Sequence, residues 1–556
     1  MPLPPKSVPS VPRSLAQGLG VHAQIGRRTV LAGALALLLG SAGGSGAAWA
    51  DSAAQGQPVK GGVLRFLVEH EPSTLVTIAH TAGPTQRVSP KVTEGLLTYD
   101  LDFRPRPALA TAWSVSPDGL TYTFKLREGV KWHDGKPFTA EDVAYSIKLL
   151  KEHHPRGRGT FASVTAVETP DPYTAVITLS KPAPYLLTAL DANESPIVPK
   201  HIYEGTDPLT NKNASAPVGT GPFIFKEWVR GSHIILDRNP DYWDTGKPYL
   251  DRVVIRFIAD QSARSAAFEA GELDLAGGPP VPYADLARVS ALPGLGAETR
   301  GYDYAGRMTQ LYFNFERPVL QDKRVRLAIA QAIDLQKLLD VVYFGYGKVA
   351  ASVISPNLKG FVDPSIEPYG YNLKAANRLL DEAGYPRKAD GTRFTLRLYA
   401  NPFNTQAAGD FIKQSLAKVG IAVDFQFFDF STYIQKTYTG RDFDLTLESL
   451  QNVFDPTLGV QRTLWSKNFR IGLPFSNASH YSNPEVDRLL EEAAVEPDPK
   501  KRQQLWSAFQ KAVHDDVAAL GLVAPDGVTI FRTKVKNHTI GVTGVDASFA
   551  DVYIEK

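Results

Sequence analysis

Tyr122, Phe124 and Leu126 alternate with polar residues, which predicts a strand with one buried face. Asp134-Gly135 follows as a turn. Thr139 is then placed to cap a helix, with Glu141 and Asp142 in its first turn and Val143, Ile147 and Leu150 on its inner face. Similar patterns recur along the chain. Gly61-Gly62 opens a strand over 63–68, and residues 394–400 and 421–427 alternate as strands. Between those two, Phe411, Ile412, Leu416 and Val419 line one side of a helix. Asn483-Pro484 starts a helix with Val486, Leu489, Leu490 and Ala493 inward. Asp498-Pro499 starts another, with Leu505, Phe509, Ala512 and Val513 inward. The elements alternate as in an α/β protein.

At 556 residues, several domains or one large interwoven body are expected. The first fifty residues stand apart. They hold Lys6, Arg13, Arg27 and Arg28 and no acid; an Ala/Leu/Gly run follows the arginine pair, and Ala48-Trp49-Ala50 forms a small-x-small site. This reads as a signal peptide cleaved after Ala50, with Arg27-Arg28 pointing to the twin-arginine route. The apolar run is shorter than the roughly 20 residues of a membrane span. Residues 51–60 are small and polar, as in a flexible leader. Removing the first fifty residues turns the formal charge of +2 slightly negative, which suggests neither a nucleic acid nor an anionic membrane as partner. Cysteine is absent, so there is no disulfide, thiolate metal site, Cys nucleophile or lipid-modified cysteine.

The chemistry-bearing patterns are sparse. The nearest approach to a nucleophile elbow, Gly43-Gly44-Ser45-Gly46, lies in the signal peptide. His70-Glu71 begins like a zinc motif, but Thr74 stands where the second histidine would be. His153 and His154 are adjacent and cannot share a helix face, so they read as a solvated loop. No Walker A sequence occurs, and no carboxylate pair is singled out. Neither a catalytic residue, a cofactor nor a metal site is expected.

The stretch YTFKLREGVKWHDGKPFTAEDV at 122–143 resembles the signature of family 5 of the bacterial extracellular solute-binding proteins, the large receptors of ABC importers. VGTGPFIFKEW (218–228), NPDYWDTGKPYLDRVVIRFIAD (239–260), RSAAFEAGELDL (264–275), LYFNFERPVLQDKRVRLAIAQAID (311–334) and KAANRLLDEAGYP (374–386) follow in the family's order. The resemblance implies a two-lobe periplasmic binding protein fold with a hinge and an extra inserted domain. Carried over, lobe I comprises 61–95, 215–308 and 525–556, the extra domain 96–214, and lobe II 309–524. It further implies a monomeric periplasmic receptor that closes on a small solute and delivers it to an ABC permease and its ATPase. A receptor for chemotaxis or sensing is the alternative; a secreted hydrolase is the alternative of another class.

In the family's peptide-binding members, an Asp in a Trp-x-x-Asp-x-x-Asp/Glu-Pro segment of lobe II anchors the ligand's ammonium. Matching on Asp455-Pro456 puts Asn452 at that anchor and Ser449 at the Trp, so the charge is missing. Asn452, Phe454 and Asp455 are candidate ligand residues, against the plainer reading of a loop cap and an Asp-Pro turn. The loop after the first strand, Leu75 to Thr81, should face the groove and offers His80. The hinge strand offers Arg307, Met308 and Gln310, with Leu311 and Phe313 as core. The basic loop 153–161 resembles a lid, in which Arg156 and Arg158 could clamp a carboxylate. Trp465 could stack on ligand or pack in the core, while Trp113, Trp132, Trp228 and Trp243 belong to scaffold motifs.

Overall fold

The computed structural model describes residues 57–401 and 403–556. The expected signal peptide, residues 1–50, and residues 51–56 of the expected leader lie outside the described residues. Three larger sheets organise the described residues, beside two small two-stranded ones. The first has seven strands in the order Leu295–Glu298, Thr529–Arg532, Leu275–Gly277, Val63–Val68, Arg252–Phe257, His233–Arg238 and Phe223–Val229. Val63–Val68 pairs in parallel with both Arg252–Phe257 and Leu275–Gly277, and buried Leu64, Phe66 and Val68 join Ile234, Leu236 and Val253 in its core.

The second sheet has six strands in the order Gly347–Val349, Ala519–Pro525, Arg307–Phe313, Leu445–Gln451, Phe394–Ala400 and Ile421–Phe427. Phe394–Ala400 and Ile421–Phe427 run parallel across the helix Gln406–Ala417, whose Ile412 and Leu416 are buried against them. The helices Pro484–Val495 and Pro499–Asp515 start at their Asn-Pro and Asp-Pro steps, with Asn483 and Asp498 accepting backbone amides as caps. Trp506, Phe509 and Val513 of the second helix are buried.

The third sheet is antiparallel: Ala110–Val115, Thr121–Leu126, Thr174–Leu179 and Val164–Asp171. The inward side chains of Thr121–Leu126 meet Val143, Ile147 and Leu150 of the helix Ala140–His153 in one core. That helix begins where the cap was expected, with the Asp142 carboxylate accepting the Thr139 amide at 2.9 Å. The chain passes from the seven-stranded to the six-stranded sheet between Glu298 and Arg307, and returns between Pro525 and Thr529. No helix among the described residues is long and apolar enough to cross a membrane.

Candidate functional site

The two crossing segments meet at a cavity of about 390 Å³, lined from both large sheets and from the extra domain. Its volume falls in the range of small-molecule sites, about 300–1,000 Å³. Arg307 and Thr309 open the strand Arg307–Phe313, directly opposite Gln451 and Ser449 of Leu445–Gln451. These four residues line the cavity. Farther along the same face, Leu311 and Phe313 pass under helices and are fully buried. The cavity therefore begins where the helical cover of this face ends.

Arg307 is exposed, yet the solvent it meets is that of the cavity. Its guanidinium has no hydrogen-bond or ion-pair partner among the described residues. Enclosure and the nearby Arg87 pull its pKa below the usual arginine value, opposed by Tyr283 and Asp546. Arginine stays protonated through such shifts, so the wall carries a cation that no side chain bonds directly and that Asp546 only partly offsets.

The opposite wall belongs to the seven-stranded side. Arg87, on the helix Gly83–Val92, is ion-paired with Glu69, and its Nε lies 3.6 Å from Asp546 Oδ1. Gly278 lines the cavity beside it at φ +110°; a Cβ there would fall 2.1 Å from an Arg87 nitrogen, so glycine suits both the backbone and the packing. Asp546 closes the short turn Gly544–Asp546. Its backbone neighbourhood is clamped: Lys91 Nζ donates to the Val545 carbonyl at 2.6 Å, and Asn193 Nδ2 to the Asp546 carbonyl at 3.3 Å. Burial raises the Asp546 carboxyl, against the pull of Arg87, Lys91 and Arg307.

From the extra domain, Glu194 reaches the cavity already engaged by Arg156 in a two-nitrogen contact. Burial alone would raise its carboxyl, but Arg156 holds it below the usual range. Arg156 Nη1 also reaches Gln451 Oε1 at 3.4 Å, linking the extra domain to the six-stranded sheet.

Of the residues singled out from sequence, the structure brings Arg307 into the cavity wall and sets Arg156 directly behind it. The others are placed elsewhere. Met308 is fully buried with Ala350 and Ala524. Gln310 is buried, donating to the Val353 carbonyl and accepting from Tyr312. The Asn452 side chain is turned away from the cavity and accepts the Ser355 amide at 2.6 Å; a Cβ on Gly459 would fall 1.7 Å from its carbonyl oxygen. Phe454 stacks on Tyr304 at 4.7 Å between ring centres. Asp455 caps the turn Pro456–Gly459 and is held by both terminal nitrogens of Arg502, each at 2.8 Å.

Leu75, Val76, Thr77, Ile78 and Ala79 are buried rather than facing the groove, because they pack between the first sheet and the extra domain's core. His80 follows them half-buried, its Nδ1 accepting the Ala82 amide and its Nε2 lying 3.2 Å from Ser73 Oγ. Arg158 is exposed and donates to the Glu152 carbonyl. Trp465 donates to Glu491 and packs against the helices that follow. The reading of His153-His154 as a solvated loop is corrected for His154. That ring is fully buried, accepts the Gly157 amide at 2.8 Å, and has its pKa pushed down to about 4 by burial. Sequence reading missed Arg87, Glu194 and Asp546, which lie far apart in the chain and carry no local motif.

Similarity to known proteins agrees with this architecture. The family model of the bacterial extracellular solute-binding proteins, family 5, matches residues 104–470. The oligopeptide-binding protein AppA of Bacillus subtilis is 28% identical over 485 residues, covering 83% of this chain and 86% of its own. The periplasmic binding protein DppA of Helicobacter pylori, solved with the peptide STSA, superposes with a TM-score of 0.77 at 30% identity, over 90% of this chain and 99% of its own. AgaA of A. tumefaciens R10, solved with agropinic acid, gives a TM-score of 0.73 at 28% identity, over 89% of this chain and 99% of its own. The chain belongs to family 5 of the bacterial extracellular solute-binding proteins.

Proposed function

We propose that the protein is the exported solute receptor of an ABC importer, and that its solute carries a carboxylate held by Arg307. One observation supports the solute class above the rest: a guanidinium with no partner faces a cavity of small-molecule size between the two large sheets. A guanidinium that faces an enclosed cavity with no bonded partner gains from a bound anion, and a bidentate carboxylate is the planar group it fits best. Relatives captured with a peptide and with agropinic acid fit a site of this kind. The signal sequence ending at Ala50 would release a monomer into the periplasm. There the two lobes would close on the solute and present it to a permease and its ATPase, without making or breaking a bond.

Mass spectrometry of the solute released from purified protein by denaturation tests the class. A carboxylated compound is expected, and Arg307→Gln should bind that compound at least about 30-fold more weakly by calorimetry. A neutral oligosaccharide released in stoichiometric amount would overturn the reading. Rebinding the released solute should also shrink the radius of gyration in small-angle scattering. An unchanged radius with tight binding would remove the closure step.

A further inference from the structure

An aromatic row leads out of the cavity on its six-stranded side. Phe403 lines the cavity and is 52% exposed. It follows the strand Phe394–Ala400, as Phe430 follows the strand Ile421–Phe427, and these two strands pair in parallel. Both rings therefore stand outside the carboxyl ends of parallel strands, where open α/β sheets take their ligands. The two ring centres are 5.5 Å apart, and Phe475 stacks on Phe430 at 6.0 Å. The loop that carries Phe475 also leaves Ile471 and Leu473 exposed. Scattered exposed phenylalanines are ordinary, but a contiguous row that starts on a cavity wall marks an interaction site. The row is also held in shape beforehand. The Phe403 amide donates to Asn401 Oδ1 at 3.2 Å. Asp429 caps the helix Phe430–Ile434 by accepting the Thr432 amide at 3.0 Å, which fixes Phe430 at the first helical position. Phe475 is half-buried against Tyr438.

We propose that the solute is an amphiphile, with its carboxylate on Arg307 and an apolar arm that leaves the cavity over Phe403 to rest on Phe430 and Phe475. This rests on the reading of Arg307 above and extends it. The occupant follows from continuity: Phe403 belongs both to the cavity wall and to the row, so a group that passes Phe403 reaches the other two rings without a second site. A solute that is polar throughout would fill the cavity and leave the row in water. An apolar arm covers it, and each methylene taken out of water is worth about fourfold in affinity. Rings already fixed by a cap and a packed neighbour lose little freedom when the arm settles on them. Phe344 adds to the apolar lip. It lines the cavity, is exposed, and is held at φ +53°, a conformation that phenylalanine adopts only at a cost.

The test uses the purified protein freed of bound solute. Its probes are the straight-chain carboxylates from butyrate to tetradecanoate and the matching primary alcohols, each below its solubility or micelle limit and measured by calorimetry. Wild-type affinity for the carboxylates should climb along the whole series. Phe430→Ser changes an exposed ring outside the cavity. It should leave the short members unchanged and weaken the longest about 10-fold, at an unchanged melting midpoint. An affinity that levels off among the short members, or a series that Phe430→Ser leaves untouched throughout, would overturn the arm; Arg307 then stands if the carboxylates still bind better than the alcohols. Equal binding of alcohols and carboxylates, with the climb and the Phe430→Ser loss both intact, would uphold the arm and overturn the Arg307 reading. Unchanged affinity with reduced uptake by cells carrying Phe430→Ser would give the row to a partner protein and overturn the proposal. Should Phe430→Ser not fold, Phe430→Glu, whose acid suits the first turn of a helix, takes its place.

Discussion

Removing Arg502 tests whether Asp455 holds the structure or touches solute. Asp455 is 2% exposed, and Arg502 gives it two hydrogen bonds of 2.8 Å while also reaching Thr457 Oγ1 at 2.8 Å and the Ala493 carbonyl. Arg502→Met keeps most of the side chain's length and leaves the Asp455 carboxylate buried without a counter-charge. Breaking such a pair from one side costs about 3–5 kcal/mol. Replacing both partners at once, Arg502→Met with Asp455→Leu, removes the orphaned charge and should recover a large part of that loss. The helix Pro499–Asp515 and the turn Pro456–Gly459 both hang on this contact, so tryptophan fluorescence in a urea titration reports it through buried Trp506. Affinity for the released solute, measured well below the unfolding transition, should be unchanged in both variants. The reasoning fails if Arg502→Met costs less than about 1 kcal/mol, or if Asp455→Asn weakens solute binding at unchanged stability.

Asn452→Asp should gain no affinity for free-amine peptides and should lose about 1–3 kcal/mol, because it places a charge where a neutral amide now holds Ser355; submicromolar binding of such peptides by this variant would put the side chain on the ligand. Lys91 is fully buried, and burial pushes its pKa from 10.5 down to about 7 while Asp546 opposes the shift. Between those two pH values the unfolded chain holds a proton that the folded one has released, so stability rises with pH across that window, by about 5 kcal/mol at the upper bound. Urea midpoints from pH 7 to pH 10 should climb in wild type and flatten in Lys91→Met; a parallel climb in both would assign the slope to other groups.

Much of the fold was legible because its elements obey local rules. Tyr122, Phe124 and Leu126 alternate because one face of their sheet packs on a helix. Asn483 and Asp498 announce helices because the first amides of a helix need an acceptor. The cavity was less legible for a reason specific to central strands. On Arg307–Phe313 the core assignment of Leu311 and Phe313 left the other face free in principle, and that face holds Met308 and Gln310. Both faces are in fact covered, and the open stretch is the end of the core face itself, at Arg307 and Thr309. The same shift of one residue separates Asn452 from its neighbour Gln451, which lines the cavity. A lone arginine leading into an apolar strand was the available signal. Asp546 had none: its place in the cavity wall depends on Arg87, hundreds of residues away, and on a clamp that only the folded chain assembles.

The placement of Arg307 and Asp546 on opposite walls bears on how binding could be coupled to closure. Arg307 starts a strand of the six-stranded sheet, while Asp546 is fixed through Lys91 to a helix whose Val88 and Val92 pack on the seven-stranded sheet. A solute held at one end gains the same contact however the two sheets are disposed, and so gives no preference between open and closed forms. A solute held at both ends gains its second contact only when the sheets approach. That second contact is then differential binding energy, the only kind that can shift a conformational equilibrium. Moving a population from 1:99 to 99:1 takes about 5.5 kcal/mol, and truncating one partner of a buried charge pair costs about 2–5 kcal/mol. One bridging charge contact would therefore supply a large share of what closure needs. On this argument Arg307→Gln should weaken binding and also reduce the compaction seen at saturating solute. A purely local affinity contact would leave that compaction intact.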